Sequence, residues 1–89
     1  MTPRTDEALI ILQEECAEVI QSISKIKRFG MDQAYEGQEL NRTRLQKEVG
    51  DVLALIDILI EEQVLTQTAL SQFKIDKINK LKKFSNLYV

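Results

Sequence analysis

The chain contains no histidine, and this absence removes several classes of catalytic site. Without an imidazole there is no histidine base to activate a serine or cysteine nucleophile, and no Gly-x-Ser-x-Gly motif occurs. Zinc sites and the Glu-x-x-His pairs of diiron bundles are disfavoured for the same reason. Glycine is scarce too, and Gly30, Gly37 and Gly50 are too scattered for a phosphate-binding loop. A phosphate ligand would therefore have to be held by metal ions and basic side chains.

The chain also has only one cysteine and no long uninterrupted apolar run. The single cysteine, Cys16, cannot form an internal disulfide, and its place on an apolar helical stripe predicts a small buried side chain. The longest apolar block, residues 52–60, is interrupted by Asp57, so no membrane span is predicted. Residues 1–6 carry one basic residue and lead into an acidic helix, which fits neither a secretory signal nor a transit peptide. We therefore expect a cytoplasmic protein with no membrane partner.

A large excess of one charge sign is also missing. The net charge of -2 provides no general attraction to nucleic acid, so no nucleic-acid partner is expected. Five lysines nevertheless cluster near the C-terminus: Lys74, Lys77, Lys80, Lys82 and Lys83. Either they form a solvated helix face, or they help to hold a polyanionic substrate or an acidic neighbour.

What the sequence does contain is helical periodicity, with no segment that resembles a strand. The first helix is predicted from Thr5 or Asp6 to Phe29, because acids suit its N-terminal end and Gly30 is a natural stop. Residues 31–40 lack a clear period. They predict a loop with room for one helical turn.

Two further helices follow this loop. A capping-box pattern that opens at Thr43 predicts the start of the second helix, with Asn41 as a rival cap. The predicted bounds are Thr43 to Glu62 or Gln63 for the second helix, and Thr66 or Thr68 to about Phe84 for the third. The expected fold is all-α: one domain over residues 1–89, folded as a compact bundle of three main helices, with a short fourth helix allowed in the 31–40 loop.

Apolar residues surround nearly the whole circumference of the second helix in its C-terminal half: Leu53, Leu55, Ile56, Ile58, Leu59 and Ile60. One small partner helix cannot cover them all. A chain of this size also buries only around 60% of its unfolded surface, so its stability alone would be modest. The bundle is therefore expected to be completed by oligomerisation, as a homodimer or homotetramer.

Two pairs of acids interrupt the apolar stripes of the first two helices. Glu15 and Glu18 form one pair and Glu48 and Asp51 the other, and a spacing of three puts both members of a pair on one side of a helix. With the stripes centred on Leu12, Cys16, Val19 and Ile23 and on Leu45, Val49, Val52 and Ile56, each pair falls on the same flank. The first acid of each pair lies roughly 60° and the second roughly 120° from the stripe centre. The helices thus carry matching halves of one site, in which four carboxylates would repel each other unless protonated or neutralised.

A bound hard cation is the economical solution for four carboxylates. Oxygen ligands without histidine favour Mg²⁺, with Mn²⁺ second. Magnesium usually completes its shell with water and substrate phosphate oxygens, so the site is a plausible receptor for a di- or triphosphate. Glu14 lies one turn before Glu18 and is a candidate to orient or deprotonate the attacking water. The alternative for Glu14 is an exposed acid that only aids solubility.

Two basic residues are candidates for binding the substrate. Lys25 follows Glu18 by seven residues, almost in line with it and ~10 Å along the helix axis, which is about the reach of a polyphosphate. Arg28 lies one turn further on and is less well aligned. The competing account for both is favourable pairing with the C-terminal end of the helix.

The acid motif resembles a known family. Glu14-Glu15-Cys16-Ala17-Glu18 followed by Glu48-Val49-Gly50-Asp51 looks like the signature of the MazG-like, all-α nucleoside triphosphate pyrophosphohydrolases. Ser24-Lys25, Arg28-Phe29-Gly30 and Asn41 also look like small members of that family, so the resemblance spans about residues 8 to 62. It implies magnesium-dependent hydrolysis of a nucleoside triphosphate to monophosphate and pyrophosphate by metal-activated water, and assembly into dimers or higher oligomers.

The resemblance also implies roles for single residues. Glu15, Glu18, Glu48 and Asp51 would be metal ligands and Glu14 a helper at the attacking water, and Asn41 joins Lys25 and Arg28 as a candidate for substrate binding. The spacer of 29 residues between Glu18 and Glu48 is at or beyond the long end for the family, which implies an extended loop over the site. Tyr35 in that loop, or Phe29 beside it, could stack on a base or anchor the loop to the core.

Two alternatives to an enzyme stay open at this point. One is a non-catalytic helical module that keeps the carboxylates in order to bind a nucleotide or a metal. The other is a purely structural bundle. The second motif of the related phosphoribosyl-ATP pyrophosphohydrolases typically carries Ala-Asp and Tyr-His, whereas this chain has Gly50-Asp51 and Leu55-Ile56, so a role in histidine synthesis is not favoured.

Overall fold

Three helices and no strand make up the computed structural model, which describes residues 1–89. The helices are α1 (Pro3–Phe29), α2 (Asn41–Glu61) and α3 (Gln67–Phe84). The all-α prediction is therefore confirmed. None of the three helices has both the length and the apolar character needed to cross a bilayer.

Threonine side chains cap two of the three helices. At α1, Thr5 donates its backbone N–H to Thr2 Oγ1 at 3.0 Å, and Pro3 occupies the first helical position, where its missing N–H costs nothing. The helix therefore starts two to three residues before the predicted start. At α3, Ala69 donates its backbone N–H to Thr66 Oγ1 at 3.2 Å, which selects Thr66 over Thr68 as the cap.

The second helix begins differently from the prediction. It starts at Asn41 rather than Thr43, and no side chain caps it. Carbonyl groups of the preceding loop take that role: Asn41 N–H donates to the Gln33 carbonyl and Arg42 N–H to the Met31 carbonyl, both at 2.9 Å. The predicted capping box is wrong because long-range backbone partners already satisfy the first N–H groups of the helix.

The loop of residues 30–40 contains turns but no helix, so the allowance for a short fourth helix is not used. Its backbone reverses at Gly30 (φ 102°) and Gly37 (φ 68°), both in the region that favours glycine. Within it, Gln38 N–H donates to the Tyr35 carbonyl at 2.7 Å. The side chain of Asn41 closes the loop by donating from Nδ2 to the Gly30 carbonyl at 2.9 Å.

Helices α1 and α2 form an antiparallel hairpin. At the open end Thr5 Oγ1 lies 3.3 Å from Glu62 Oε1, and at the loop end Asn41 is bonded to Gly30. One series of buried and half-buried residues along α1 recurs with alternating steps of three and four: Thr5, Ala8, Leu12, Glu15, Val19, Ser22 and Ile26. A series with the same spacing runs along α2: Asn41, Leu45, Glu48, Val52, Leu55 and Leu59. This is the spacing of a coiled-coil seam, and Glu15 and Glu48 both lie in it.

The seam is rotated from the stripe that the sequence suggested. Cys16 is exposed and Ile23 is 46% exposed, whereas Glu15 and Ser22 lie closer to α2. Within the single chain the prediction of a buried Cys16 is wrong, because the predicted apolar stripe of α1 is rotated by about 50° from the side that faces α2. The rotation moves the first acid pair closer to the partner helix.

The helices form a layer rather than a packed bundle. The molecule measures 42 × 38 × 14 Å, so its thickness is close to the diameter of one helix. Its radius of gyration of 16.0 Å exceeds the value of about 12 Å that a compact chain of this length would have. The buried core consists of Ala8, Leu55 and Leu59, and every residue of α3 from 71 to 80 is exposed. Within one chain, compact packing is limited to the α1–α2 hairpin.

Candidate metal centre

Three carboxylates meet across the hairpin near its middle. Carboxylate oxygens of Glu15, Glu48 and Asp51 all lie within 4.8 Å of one another. Glu15 comes from α1, and Glu48 and Asp51 come from successive turns of α2. Glu15 and Glu48 are half-buried because they belong to the seam, while Asp51 stands on its exposed edge. The predicted convergence of acids from both helices is therefore observed for these three.

No basic side chain of the chain neutralises this cluster. The ion pairs of the structure lie elsewhere: Arg4 with Glu61 and Glu62, Arg42 with Asp32, and Lys47 with Glu39. Lys47 is adjacent to Glu48 in sequence, yet it reaches back to Glu39 at the loop end. The three carboxylates thus share one site without a cationic partner from the protein.

This arrangement raises the pKa of Glu15. Desolvation in the seam is the largest cause, followed by repulsion from Asp51 and Glu48, hydrogen bonding with Asp51 and, last, repulsion from Glu18. All of these effects disfavour the charged carboxylate. A proton or a metal ion would relieve them.

The donor set fits a hard divalent cation. Three carboxylates without nitrogen or sulfur suit Mg²⁺ or Mn²⁺ rather than zinc. Oxygens bound to one octahedral Mg²⁺ lie about 3 Å apart when adjacent and about 4.2 Å apart when opposite, so the three carboxylates would have to move closer together to share an ion. Glu15, Glu48 and Asp51 would be the protein ligands, and the exposed Asp51 side leaves room for further ligands.

Glu18 and Glu14 lie outside this group. Glu18 is exposed and does not join the three clustered carboxylates, although it is close enough to raise the pKa of Glu15. Glu14 is exposed on the same flank of α1 and has no hydrogen-bond or ion-pair partner. The four-acid prediction is therefore met by three residues in direct proximity, with Glu18 one turn away.

A cleft of about 540 Å³ lies between the ends of α1 and α2 and the loop that joins them. Of the residues predicted to bind substrate, Lys25 and Asn41 line it. Arg28 does not, because its guanidinium lies over the ring of Phe29, 4.9 Å from the ring centre. Asn41 is partly committed to the Gly30 carbonyl.

Sequence reasoning missed Arg44, Gln33 and Gln38, which also line this cleft. A signal for Arg44 was present. Arg44 precedes Asp51 by seven residues, just as Lys25 follows Glu18 by seven, so each cation is almost in line with the acid on its own helix. The two glutamines have no such signal because they lie in the aperiodic loop.

No protein-family model, curated protein or solved structure matches this chain. The resemblance to MazG-like pyrophosphohydrolases therefore rests on the acid motif and stays a prediction. The geometry of the three carboxylates is independent of that resemblance.

Proposed function

We propose that this protein is a magnesium-dependent nucleoside triphosphate pyrophosphohydrolase, which converts a nucleoside triphosphate and water into a nucleoside monophosphate and pyrophosphate. The observation that carries the proposal is the meeting of Glu15, Glu48 and Asp51 from two helices with no cation from the chain itself. The Glu-Glu-x-x-Glu and Glu-x-x-Asp spacing supports the same reaction class.

The residues in and around the cluster have different roles in this reaction. Glu15, Glu48 and Asp51 would hold Mg²⁺, which would screen the phosphate charge and favour deprotonation of water. Attack by the water oxygen on the α-phosphorus breaks its bond to the oxygen that bridges to the β-phosphorus, and pyrophosphate leaves. Glu14, exposed on the flank of α1 and free of protein partners, is the candidate to accept the water proton.

A covalent mechanism has less support. The chain has no histidine to activate a nucleophile. Cys16 follows Glu15 directly, but its helical phase turns it to the opposite flank of α1 from Glu14 and Glu18. Direct attack by water therefore needs the fewest additional groups.

Pyrophosphate release from a panel of canonical and modified nucleoside triphosphates tests the proposal. Purified protein with Mg²⁺ should release pyrophosphate and the monophosphate in equal amounts, and Glu48→Gln and Asp51→Asn should abolish turnover while the helical circular dichroism is kept. Glu7→Gln is the matched control, because Glu7 is an exposed acid about two turns before Glu15 and has no partner. Nucleotide binding without turnover in the wild-type protein would overturn the enzyme and support a binding module.

We also propose that the protein acts as a homodimer. The apolar face of the hairpin, defined as Cys16, Ile20, Ile23, Val49, Leu53, Ile56 and Ile60, lies by helical phase on the side opposite to Glu18 and Asp51. Ile20 is 68% and Leu53 is 56% exposed in the single chain. A layer one helix thick needs a second layer to bury such a face, and the two antiparallel helices present it with approximate two-fold symmetry, which suits a second copy.

Light scattering tests the dimer. The wild-type protein should have twice the mass of one chain, and Ile20→Lys should shift it towards the monomer. Ile10→Lys is the control, because Ile10 is also an exposed isoleucine of α1, at 51%, but lies away from the apolar face. A monomeric wild type, or equal effects of the two substitutions, would refute the interface.

A further inference from the structure

The cleft at the loop end of the hairpin has a composition that the metal centre does not explain. Its lining combines two aromatic rings, Phe29 and Tyr35, three carboxamides, Gln33, Gln38 and Asn41, and two cations, Lys25 and Arg44. No acid lines it. Both rings are largely exposed, at 59% and 74%, so they do not contribute to a core.

Hydrogen bonds fix the loop that forms one wall of the cleft. Arg42 binds Asp32 with two hydrogen bonds, and the backbone of Asn41 and Arg42 holds the carbonyls of Gln33 and Met31. Gln33 also packs over Gly30, where a Cβ would lie only 3.2 Å from Gln33 Cγ. The wall that carries Gln33 is therefore positioned before any ligand arrives.

The two cations of the cleft have no anionic partner in the chain. Neither Lys25 nor Arg44 forms an ion pair, and Arg44 is half-buried. Each lies seven residues, or ~10 Å, from an acid of the same helix, Glu18 for Lys25 and Asp51 for Arg44. Because the helices are antiparallel, both cations lie on the loop side of the acids. The order along the hairpin is carboxylates, then cations, then rings and carboxamides.

We propose that this cleft binds the nucleoside of the substrate, with the base against Phe29 and Tyr35 and its polar edge on Gln33 and Gln38. This inference rests on the proposed function, because the metal centre fixes the phosphate end. Lys25 and Arg44 lie between the two ends, where they bind oxygens of the α-phosphate, the phosphate group that is bonded to the ribose. Bases stack on aromatic rings, and a carboxamide both donates and accepts, which matches the adjacent donor and acceptor groups on a base edge. Gln33 and Gln38 are thus the residues that set base preference.

Binding of two probes tests the cleft independently of turnover. Titration calorimetry with Mg²⁺ compares α,β-methylene nucleoside triphosphates of the four bases with inorganic tripolyphosphate, which has no base. We expect Gln33→Ala and Gln38→Ala to weaken the nucleotide analogues roughly three- to tenfold and to reduce the differences between bases. Tyr35→Ala should weaken them roughly tenfold or more. Tripolyphosphate should bind the variants as it binds the wild type.

Gln13→Ala is the matched control, because Gln13 is an exposed glutamine of α1 away from the cleft, and it should change neither probe. Unchanged analogue affinity in both glutamine variants, or equal weakening of analogue and tripolyphosphate, would overturn the base site. Pyrophosphate release from natural nucleotides is scored separately. Turnover with base preference unchanged in both variants refutes the cleft and keeps the enzyme, whereas selective analogue binding without turnover refutes the enzyme and keeps the cleft.

Discussion

Arg42 donates two hydrogen bonds to the carboxylate of Asp32, from Nε at 2.9 Å and from Nη2 at 3.1 Å. This fork joins the first turn of α2 to the loop that precedes it. The hydrogen bonds from Arg42, and then its charge, lower the pKa of Asp32 below its ordinary value. The pair lies beside the cleft, so it couples the shape of the loop to the protonation of a single carboxyl group.

Asp32→Asn should loosen the loop at neutral pH. Because the pKa of Asp32 is lowered in the folded protein, the carboxylate stabilises the fold above its ordinary pKa of about 3.8, and this stabilisation is lost as the pH falls through the lowered value. We expect faster chymotryptic cleavage after Tyr35 in the variant than in the wild type at pH 7. Glu36→Gln, an exposed acid of the same loop without a partner, should leave the cleavage rate unchanged. Equal cleavage rates in all three proteins would show that the Arg42–Asp32 pair does not fix the loop.

Glu15→Gln should separate metal binding from folding. In the absence of divalent ions the variant is expected to melt at the same or a higher temperature, because it removes one of three clustered negative charges. Millimolar Mg²⁺ should raise the melting temperature of the wild type by mass action but not that of the variant. Glu7→Gln should behave as the wild type. A Mg²⁺ shift that survives Glu15→Gln would exclude this centre as the binding site.

The contribution of Glu15 to the stability of the metal-free protein should increase as the solution is acidified through the range in which Glu15 titrates. The pKa of Glu15 is raised in the folded state, mainly by desolvation, so between the ordinary value of 4.5 and the raised value the folded chain binds more protons than the unfolded chain. Its contribution to stability therefore falls as pH rises through that window. Melting temperatures recorded with a chelator should carry this slope in the wild type and lack it in Glu15→Gln. The midpoint for Mg²⁺ should rise in the same acid range, since protons compete for the carboxylate.

Loss of metal affinity should be graded among the acids. Glu48→Gln removes a half-buried carboxylate of the cluster, whereas Glu18→Gln removes an exposed carboxylate one turn away. We therefore expect a larger rise in the Mg²⁺ dissociation constant for Glu48→Gln, measured by calorimetry. An equal or larger effect of Glu18→Gln would mean that Glu18 moves into the cluster when the ion binds.

The small core makes a sharp prediction for stability. Leu59 is 1% exposed and belongs to the buried cluster with Ala8 and Leu55, so Leu59→Ala should cost about 2–5 kcal/mol of unfolding free energy. Leu53→Ala offers a matched leucine of α2 that is 56% exposed in the single chain. In urea denaturation at low protein concentration Leu53→Ala should cost much less. If the two variants lose equal stability, Leu53 must be buried in solution as well.

The sequence predicted all three helices, the end of α1 at Gly30 and the Thr66 cap of α3 because these signals are local, whereas the Thr2 cap of α1 is local too but was not predicted. Thr2 and Thr66 cap α1 and α3, and Gly30 ends α1, each within a few residues of the group it satisfies. The meeting of Glu15 with Glu48 and Asp51 was also predictable, since a spacing of three fixes a pair on one side of its helix. A wheel drawn from apolar residues alone misplaced the seam on α1, because polar residues such as Glu15 and Ser22 occupy it.

The start of α2 and the cleft could not be predicted, because they depend on contacts between distant residues. The first N–H groups of α2 bond to carbonyls eight and eleven residues earlier in the chain, which no capping pattern records. Gln33 and Gln38 gain a shared cleft with Arg44 only once the loop has closed. The position of α3 is likewise outside local signals, because residues 71–80 of this helix are all exposed and its sequence does not say where it packs.

The 14 Å thickness of the molecule also bears on how its stability should be measured. A protein with a thick interior keeps most of its folding free energy inside one chain, whereas a slab with a three-residue core exposes most of its apolar side chains to the solvent or to a neighbour. The same apolar side chains then contribute to both folding and association. The melting temperature then depends on the protein concentration, so the two values have to be reported together.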